Sequence, residues 1–389
     1  MRYNTPMETT SVKKRGPAAI FSLCPGAHIV ALVSACVIGL HLLLRHDRAL
    51  MRRLSAGVIH PVHQRLAALT GRLPFSLAEL LYAVLIGTVL VYIISELVRL
   101  IRHKGRLRRL YRLLMRVIAL ALCIYALFCL LWGVYYYGDD FAAMSGLQTR
   151  PISMDELEVV TVYFADRLNG YSAQVERDEN GLYCADRQGI LAKSPTLYRK
   201  VVAKYPCLDG PEVRAKGMVF SKIMSLIDFT GFFFPFTAEA NVNTDFPVGL
   251  FASTVAHELS HQRGVAKEQE ANFVAVLSSL ENGDVDYAYS ACMLAYIHLG
   301  NALYSVNPGA YRLIYQGLDE TVRADLRAND EYWARYETPV QTVTNTVYEG
   351  FLQSYEQTLG MRSYGACVDL LVNYYYDAAL EWFDMTPEN

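Results

Sequence analysis

Three long apolar runs dominate the first third of the chain. They extend from about His28 to Leu44, from about Leu77 to Val98 and from about Leu113 to Tyr136. A membrane hydrocarbon core of ~30 Å is crossed by about 20 mostly apolar helical residues. The pattern therefore predicts a multi-pass membrane region over residues 1–137, with the lipid bilayer as a partner, and it excludes a wholly soluble protein.

The first apolar run has two interpretations. Cations at residues 13–15 precede it, as in a cleaved signal peptide, and Val33 to Cys36 resembles a lipoprotein cleavage box. However, the run stays apolar beyond the cysteine, where a signal peptide should turn polar. A retained span, which begins as early as Ala18, is favoured, and the cleaved signal peptide stays open as the alternative.

Charge is divided unevenly along the chain and sets the expected orientation. Residues 1–116 carry 18 Lys/Arg against 4 Asp/Glu, whereas residues 117–389 carry 18 against 34. The densest cationic cluster, residues 99–112, separates the second and third runs and should stay in the cytoplasm. With three spans, everything after Tyr137 is then extracytoplasmic. Because topology explains the cations, no nucleic acid is predicted as a partner.

The first connection, residues 45–73, is also cationic although this topology places it outside. Its apolar positions fit an amphipathic helix that rests on the outer leaflet of the membrane.

Beyond Tyr137 the apolar positions recur mainly with helical spacing. Strand signal is sparse, and its best candidate is an edge strand from Gly231 to Val242, interrupted by Pro235. We therefore expect a largely helical extracytoplasmic domain over residues 138–389, with a minor β element. Cys184 and Cys207 would pair only in an oxidising compartment, and their spacing does not decide the question. Helices are predicted at 155–168, 194–204, 251–263, 268–280, 286–304, 308–326, 331–359 with a break at Pro339, and 363–382.

One segment has the spacing of a metal site. His257 and His261 lie four residues apart in an H-E-x-x-H pattern, so a helix would present both imidazoles to one ion. Glu258 can reach a water on that ion without coordinating it, which suits a general base. Gly264 can adopt the left-handed backbone that ends a helix. The pattern predicts one Zn²⁺ ion and a catalytic role for Glu258.

A catalytic zinc needs a third protein ligand and one open position. Glu268, at the start of the next helix, is the best candidate, and Asn272 one turn later could orient a ligand by a hydrogen bond. Glu270 is the alternative third ligand. Two residues turn a helix by about 200°, and the sequence does not fix which carboxylate faces inward.

At these residues the chain resembles the gluzincin metallopeptidases, in which two histidines and a downstream glutamate bind zinc. The E-x-x-A-N or E-x-x-A-D helix recurs in several branches of that group, and its first glutamate is the ligand. The resemblance implies a zincin-like domain and supports Glu268 as the third ligand.

The chain is also similar, over most of its length, to the bacterial membrane-protein family catalogued as domain of unknown function 3810. The resemblance implies a bacterial membrane protein with a zinc-peptidase-like site and leaves the substrate open. The shared segments are Trp132-Gly133, Gly231 to Asn243, His257 to Gly264 and Glu268 to Phe273.

The segment from Gly231 to Asn243 is the candidate substrate cleft. An extended substrate can add its main chain to an edge strand beside the active-site helix. Phe236 and the preceding phenylalanines would line pockets, while core packing or contact with the outer leaflet explains these aromatics equally well. The candidate cleft caps are Glu239, Asn241 and Asn243. Candidate donors to a transition-state oxyanion are Tyr296, His298 and Tyr304 on the following helix, although a packing role is the favoured interpretation of each.

These features predict a zinc metallopeptidase, anchored in the bacterial cytoplasmic membrane, that hydrolyses a peptide or protein substrate through a zinc-activated water. The alternative is a non-enzymatic membrane receptor or assembly protein whose zinc only stabilises the outer domain. The sequence determines neither the substrate nor the oligomeric state.

Overall fold

The computed structural model describes residues 20–102, 104–355 and 364–385. These residues are mainly helical, with one small sheet. They divide into two compact units: the first holds the described residues up to Leu43 together with Val84–Leu130, and the second holds Leu44–Ala83 together with the chain from Leu131 onwards.

The first unit consists of helices with the composition of membrane spans. They are α1 (Pro25–Leu44), most of α4 (Leu77–Arg102) and α5 (Arg106–Phe128), which a π-helical turn extends to Gly133. The structure thus confirms three helices long and apolar enough to cross a membrane. The expected start of the first span at Ala18 and the cations at residues 13–15 lie outside the described residues.

The first connection belongs to the second unit. It forms α2 (Arg48–Leu54), a π-helical turn and α3 (His60–Thr70). One side of these helices packs on protein, since Met51, His63 and Ala67 are almost fully buried, whereas the apolar residues Val58, Val62 and Leu69 are exposed. The expected contact of this connection with the outer leaflet stays a prediction, and residues 44–83 group with the C-terminal domain in one compact unit.

The rest of the second unit is a helical domain. Its α-helices are α6 (Phe141–Ser145), α7 (Met154–Ser172), α8 (Arg187–Lys193), α9 (Arg199–Lys204), α10 (Ser221–Leu226), α11 (Phe251–Gln262), α12 (Glu268–Asn282), α13 (Val285–Val306), α14 (Pro308–Gln316), α15 (Glu320–Ala334), α16 (Pro339–Ser354) and α17 (Tyr364–Met385).

Most predicted helices of this domain are present, and two of them are divided. The segment 194–204 begins as a 3-10 turn before α9, and the segment 308–326 breaks at Gly317 between α14 and α15. The break at Pro339 is confirmed, since Thr338 caps the start of α16 there. Residues 356–359 of that prediction, and Ser363 of the next, lie outside the described residues.

The sheet has three short strands in the order β1-β3-β2. Strand β1 (Lys216–Gly217) is parallel to β3 (Glu239–Val242), and β2 (Gly231–Phe234) is antiparallel to it. The expected single strand from Gly231 to Val242 is therefore a hairpin. Pro235 has no N–H for a ladder and lies in the turn, so β2 forms an edge while the four residues of β3 are buried in the centre.

The apolar core of this domain surrounds α11. Every residue of α11 except His257 is buried, and α7, α12, α13 and α17 contribute to the same core. A helix so enclosed holds its side chains in fixed directions, because packed interiors leave little free volume. All eight cysteines are free thiols, including Cys184 and Cys207.

Candidate metal centre

The link between α11 and α12 folds the second helix back against the first. Gly264 has a φ of +88°, a left-handed conformation that glycine adopts without strain. Around it the N–H of Gly264 donates to the carbonyl of His261 at 2.9 Å, and the N–H of Val265 donates to that of Ser260 at 3.2 Å. This helix stop brings the first turn of α12, which begins at Glu268, next to the last turn of α11.

Three side chains converge where the two helices meet. Glu268 Oε2 lies 3.1 Å from His257 Nε2 and 3.6 Å from His261 Nε2, and the two Nε2 atoms are 3.0 Å apart. Ligands held about 2.05 Å from a tetrahedral zinc are separated from one another by about 3.3 Å. The three distances lie on both sides of that value, so these residues fit a single divalent ion.

A hydrogen bond at Nδ1 orients each imidazole. Nδ1 of His257 donates to Asn272 Oδ1 at 2.8 Å, and Nδ1 of His261 donates to the carbonyl of Val265 at 2.6 Å. A proton on each Nδ1 leaves the Nε2 lone pairs facing the point of convergence. Asn272 thus has the position expected of it. Burial lowers the pKa of His261, but the charge of Glu268 outweighs burial and raises that pKa above its ordinary value. Burial likewise raises the pKa of Glu268, but the two imidazoles hold it below its usual range.

Glu258 lies beside this cluster in a dry environment. Its side chain is buried, and among the described residues its Oε2 has no hydrogen-bond partner. Burial raises the pKa of Glu258 to about 7. The backbone of Gly231 passes so close that a Cβ there would lie 2.5 Å from Glu258 Oε1. The start of the edge strand β2 therefore contacts the carboxylate proposed as a base.

Glu270 points away from the two histidines. Its carboxylate accepts hydrogen bonds from the N–H groups of Phe141, at 2.8 Å, and Ala142, at 3.3 Å, at the start of α6. Burial, and then the charge of Asp140, raises the pKa of Glu270 to about 7. Of the two carboxylates that the sequence left open, the structure brings Glu268 to the histidines.

The expected cleft residue Glu239 is buried and fully engaged inside the protein. Its two carboxylate oxygens accept the N–H groups of Leu77, at 3.0 Å, and Ala78, at 2.8 Å, in the first turn of α4. Phe236 packs on the ring of Phe234, with centroids 5.1 Å apart. Glu239 therefore caps a helix, because an anion is stabilised by the free N–H groups there.

The two asparagines expected in the cleft are also buried. Asn241 Oδ1 accepts the hydroxyl of Ser76 at 2.6 Å, and Asn243 Nδ2 donates to Ser225 Oγ at 2.9 Å and to the carbonyl of Phe229 at 3.0 Å. Their polar atoms bond neighbouring segments. In this structure they hold the sheet in place, and they do not line an open cleft.

Two further tyrosines border the cluster. The hydroxyl of Tyr348, on α16, donates to Glu268 Oε1 at 3.1 Å, and burial raises its pKa. Tyr136 accepts a hydrogen bond from Trp132 Nε1 at 3.0 Å, and the Trp132 ring lies edge-on to His261 at 5.9 Å. Trp132 lies in one of the segments that carry the family resemblance, whereas no pattern in the sequence indicated Tyr348.

The three donors expected on α13 separate into two groups. Burial and then the charge of His257 lower the pKa of His298 to about 4. Tyr296 and Tyr304 instead face Tyr311 on α14.

Comparison with known proteins places the chain in a family. The family model described as "protein of unknown function (DUF3810)" matches residues 55–372. The chain belongs to this family. No curated protein and no solved structure matches the chain. The matched part of this DUF3810 protein begins within the first connection and extends into α17, so it contains the histidines, Glu258, Glu268 and Tyr348.

Proposed function

We propose that this DUF3810 protein is a membrane-anchored zinc metallopeptidase with a zincin-like domain, which acts outside the bacterial cytoplasmic membrane. The observation that carries the proposal is the convergence of His257, His261 and Glu268 to within bonding range of one ion, beside the buried carboxylate of Glu258. This combination of three ligands and a neighbouring base serves metal-assisted hydrolysis.

The donor set favours a catalytic ion over a structural one. Structural zinc sites are closed by four protein ligands, whereas catalytic sites have three and keep one position open. Among the described residues the cluster contains two histidines and one carboxylate, with no fourth His, Cys, Asp or Glu. When bound, zinc supplies a Lewis acid that acidifies a water and polarises a scissile carbonyl.

Glu258 is the proposed general acid and base. Its position one residue after His257 puts the carboxylate beside the cluster, and its Oε2 has no partner among the described residues that would compete for a proton. Glu258 takes the proton of the attacking water and then delivers it to the leaving amine. The dry surroundings strengthen both transfers, since few competing dipoles screen the carboxylate.

Tyr348 is the proposed donor to the developing oxyanion. Its hydroxyl lies 3.1 Å from Glu268 Oε1, at the border of the cluster. A donor already held there can turn to a carbonyl oxygen as negative charge develops on it. This role needs a protonated phenol, which the raised pKa of Tyr348 maintains.

The substrate is a peptide or protein whose main chain extends along β2. This strand is an edge of the sheet and begins at Gly231, next to Glu258. Strand addition at an edge supplies main-chain hydrogen bonds, which recognise a peptide without regard to its side chains. The scissile bond would then lie beside the proposed base.

The test is Glu258→Gln in the full chain. We expect wild-type zinc content and a loss of hydrolysis of about 10²- to 10⁴-fold, because the amide cannot accept the proton. A proteomic comparison of cells that carry either form identifies the substrate, which should accumulate uncut in the variant. Glu281→Gln, at an exposed position near the end of α12, is the matched control. Hydrolysis that survives in Glu258→Gln would remove the proposed base.

A further inference from the structure

An exposed apolar surface surrounds the short helix α10. We call Val219, Phe220, Ile223 and Leu226 the α10 patch. These residues are 82%, 51%, 56% and 48% exposed, respectively. Neighbouring apolar side chains left open on a folded domain mark a surface that binds something.

The α10 patch is tied to the first turn of a candidate membrane span. Glu79, the third residue of α4, accepts the N–H of Val219 at 3.2 Å and the N–H of Phe220 at 2.7 Å. The carboxylate of Glu79 is itself buried by these contacts. The two most N-terminal residues of the patch therefore lie at the level of Glu79 along α4.

The length of α4 relates that level to the bilayer. Near its other end Glu96 pairs with Arg99 at 2.8 Å, followed by the cationic connection. A hydrocarbon core of ~30 Å corresponds to about 20 helical residues at a rise of ~1.5 Å each. Counting that number back from the Glu96–Arg99 pair reaches Ser76 to Glu79. If this stretch of α4 crosses the bilayer, its opposite boundary would fall at the level of the residues that bind the patch.

The backbone of the patch is suited to a medium without water. Buried or lipid-exposed N–H groups must find partners within the protein. The N–H groups of Val219 and Phe220 donate to Glu79, that of Met218 donates to Val242, and that of Ile223 donates to Phe220. Entry of this segment into lipid thus leaves none of these donors without a partner.

The neighbouring surface has the composition of a membrane interface. Phe75 and Leu80, on either side of the start of α4, are also about half exposed. Tyr82 packs on Phe234 with centroids 5.0 Å apart, and aromatic side chains concentrate at the lipid headgroup level. Lys222 is exposed within α10 itself, and a cation there suits anionic headgroups.

We propose that the α10 patch is embedded in the lipid leaflet around the first turn of α4. Its side chains would enter the boundary between headgroups and acyl chains, as the apolar faces of interfacial helices do. The proposed occupant of this surface is the bilayer that α4 is long and apolar enough to cross.

This contact brings the metal centre to the membrane surface. Strand β2 begins five residues after α10 ends, and its first residue touches Glu258. If the protein is the proposed peptidase, this placement favours substrates that are anchored in the same bilayer and cleaved close to its surface. Soluble peptides would reach the site only from the bulk, at lower local concentration.

The test uses the full chain in vesicles of phosphatidylethanolamine and phosphatidylglycerol. The photoreactive residue benzoylphenylalanine replaces Val219 or Ile223, and lipid adducts are counted by mass spectrometry. Val91, 69% exposed on α4, is the lipid-facing control, and Glu179, in an exposed turn, is the aqueous control. We expect the yield of lipid adducts at the two patch positions to approach the yield at Val91. It should exceed the yield at Glu179 by about tenfold or more, as for side chains below the headgroups.

Adducts at the level of Glu179, or adducts to a second copy of the chain, would overturn the membrane contact. Because this readout involves no hydrolysis, it tests the lipid contact independently of the proposed peptidase activity. The substrate step is tested by the cleavage of one peptide with and without a lipid anchor, in wild type and in Val219→Ser. Equal cleavage of both forms by the wild type would reject the anchored substrate class and leave the lipid contact in place.

Discussion

Gly231→Ala tests whether the narrow space beside Glu258 matters for function. A Cβ at residue 231 would lie 2.5 Å from Glu258 Oε1, 2.7 Å from Cγ and 2.9 Å from Cδ, whereas ordinary contacts begin near 3.4 Å. The strand or the carboxylate must therefore move by about 1 Å, since a packed interior cannot absorb the overlap. Movement of the strand is resisted by its pairing with the buried β3, so most of the displacement should fall on Glu258.

A displacement of about 1 Å at a reacting group costs roughly 100-fold in rate, and overpacking costs about 1–3 kcal/mol of unfolding free energy. We expect losses of this size in the cleavage rate and in thermal stability. Zinc content should be unchanged, because His257 and His261 are held independently by Asn272 and Val265.

The assay is the initial rate of cleavage of the substrate identified with Glu258→Gln, together with metal analysis and thermal unfolding. Gly170→Ala is the control: this residue lies in α7, and a Cβ there meets nothing within 4 Å. In a helix interior the added methyl should stabilise by about 0.5–1 kcal/mol and leave cleavage unchanged. A wild-type cleavage rate in Gly231→Ala would refute the inference that the position of Glu258 limits the reaction.

Four further outcomes are expected. Glu268→Gln should weaken zinc binding by more than about 100-fold, a larger loss than removal of a residue that only hydrogen-bonds to a ligand. Glu270→Gln should keep zinc, and metal analysis that shows the reverse would make Glu270 the third ligand. Tyr348→Phe should lower kcat by about 10²- to 10³-fold with zinc retained, and an unchanged kcat would exclude an oxyanion donor there. Removal of zinc by a chelator should leave the circular dichroism of the full chain helical, because the core around α11 is apolar and independent of the ion; unfolding would favour the receptor with a structural zinc. Zinc affinity should fall as pH is lowered, because Glu268 raises the pKa of His261, so protons compete with zinc for Nε2 at pH values above the ordinary histidine pKa. Calorimetry that finds no proton release on zinc binding at pH 7 would contradict this.

The core of the site was predictable because its parts are close in sequence. His257, His261 and Glu268 span twelve residues, and one helix, one stop and one helix start decide where they point. Gly264 signalled the stop, because only glycine takes the left-handed conformation readily. The choice between Glu268 and Glu270 needed coordinates, since it depends on how far α12 is rotated about its own axis.

The parts that depend on distant contacts could not be predicted. Tyr348 reaches Glu268 across 80 residues of sequence, and no local spacing encodes that meeting. Glu239 was expected to cap a cleft because an edge strand beside the site can pair with a substrate, but the N–H groups that it accepts belong to α4. The apolar positions of the first connection were assigned to the outer leaflet because an apolar stripe predicts burial without specifying the burying surface; Met51 among them packs on protein and Val58 is exposed.

These distant contacts connect the membrane helix to the proposed base. The first turn of α4 binds Glu239 of β3, β3 fixes the register of β2, and the first residue of β2 touches Glu258. A chain cut at residue 138 would lose α3 and the start of α4, and with them the two N–H groups that donate to Glu239; each hydrogen bond to a charged group contributes about 1.5–3 kcal/mol. Residues 44–83 therefore belong to the same compact unit as the helical domain, and the first turn of α4 supports the sheet whose edge strand touches Glu258.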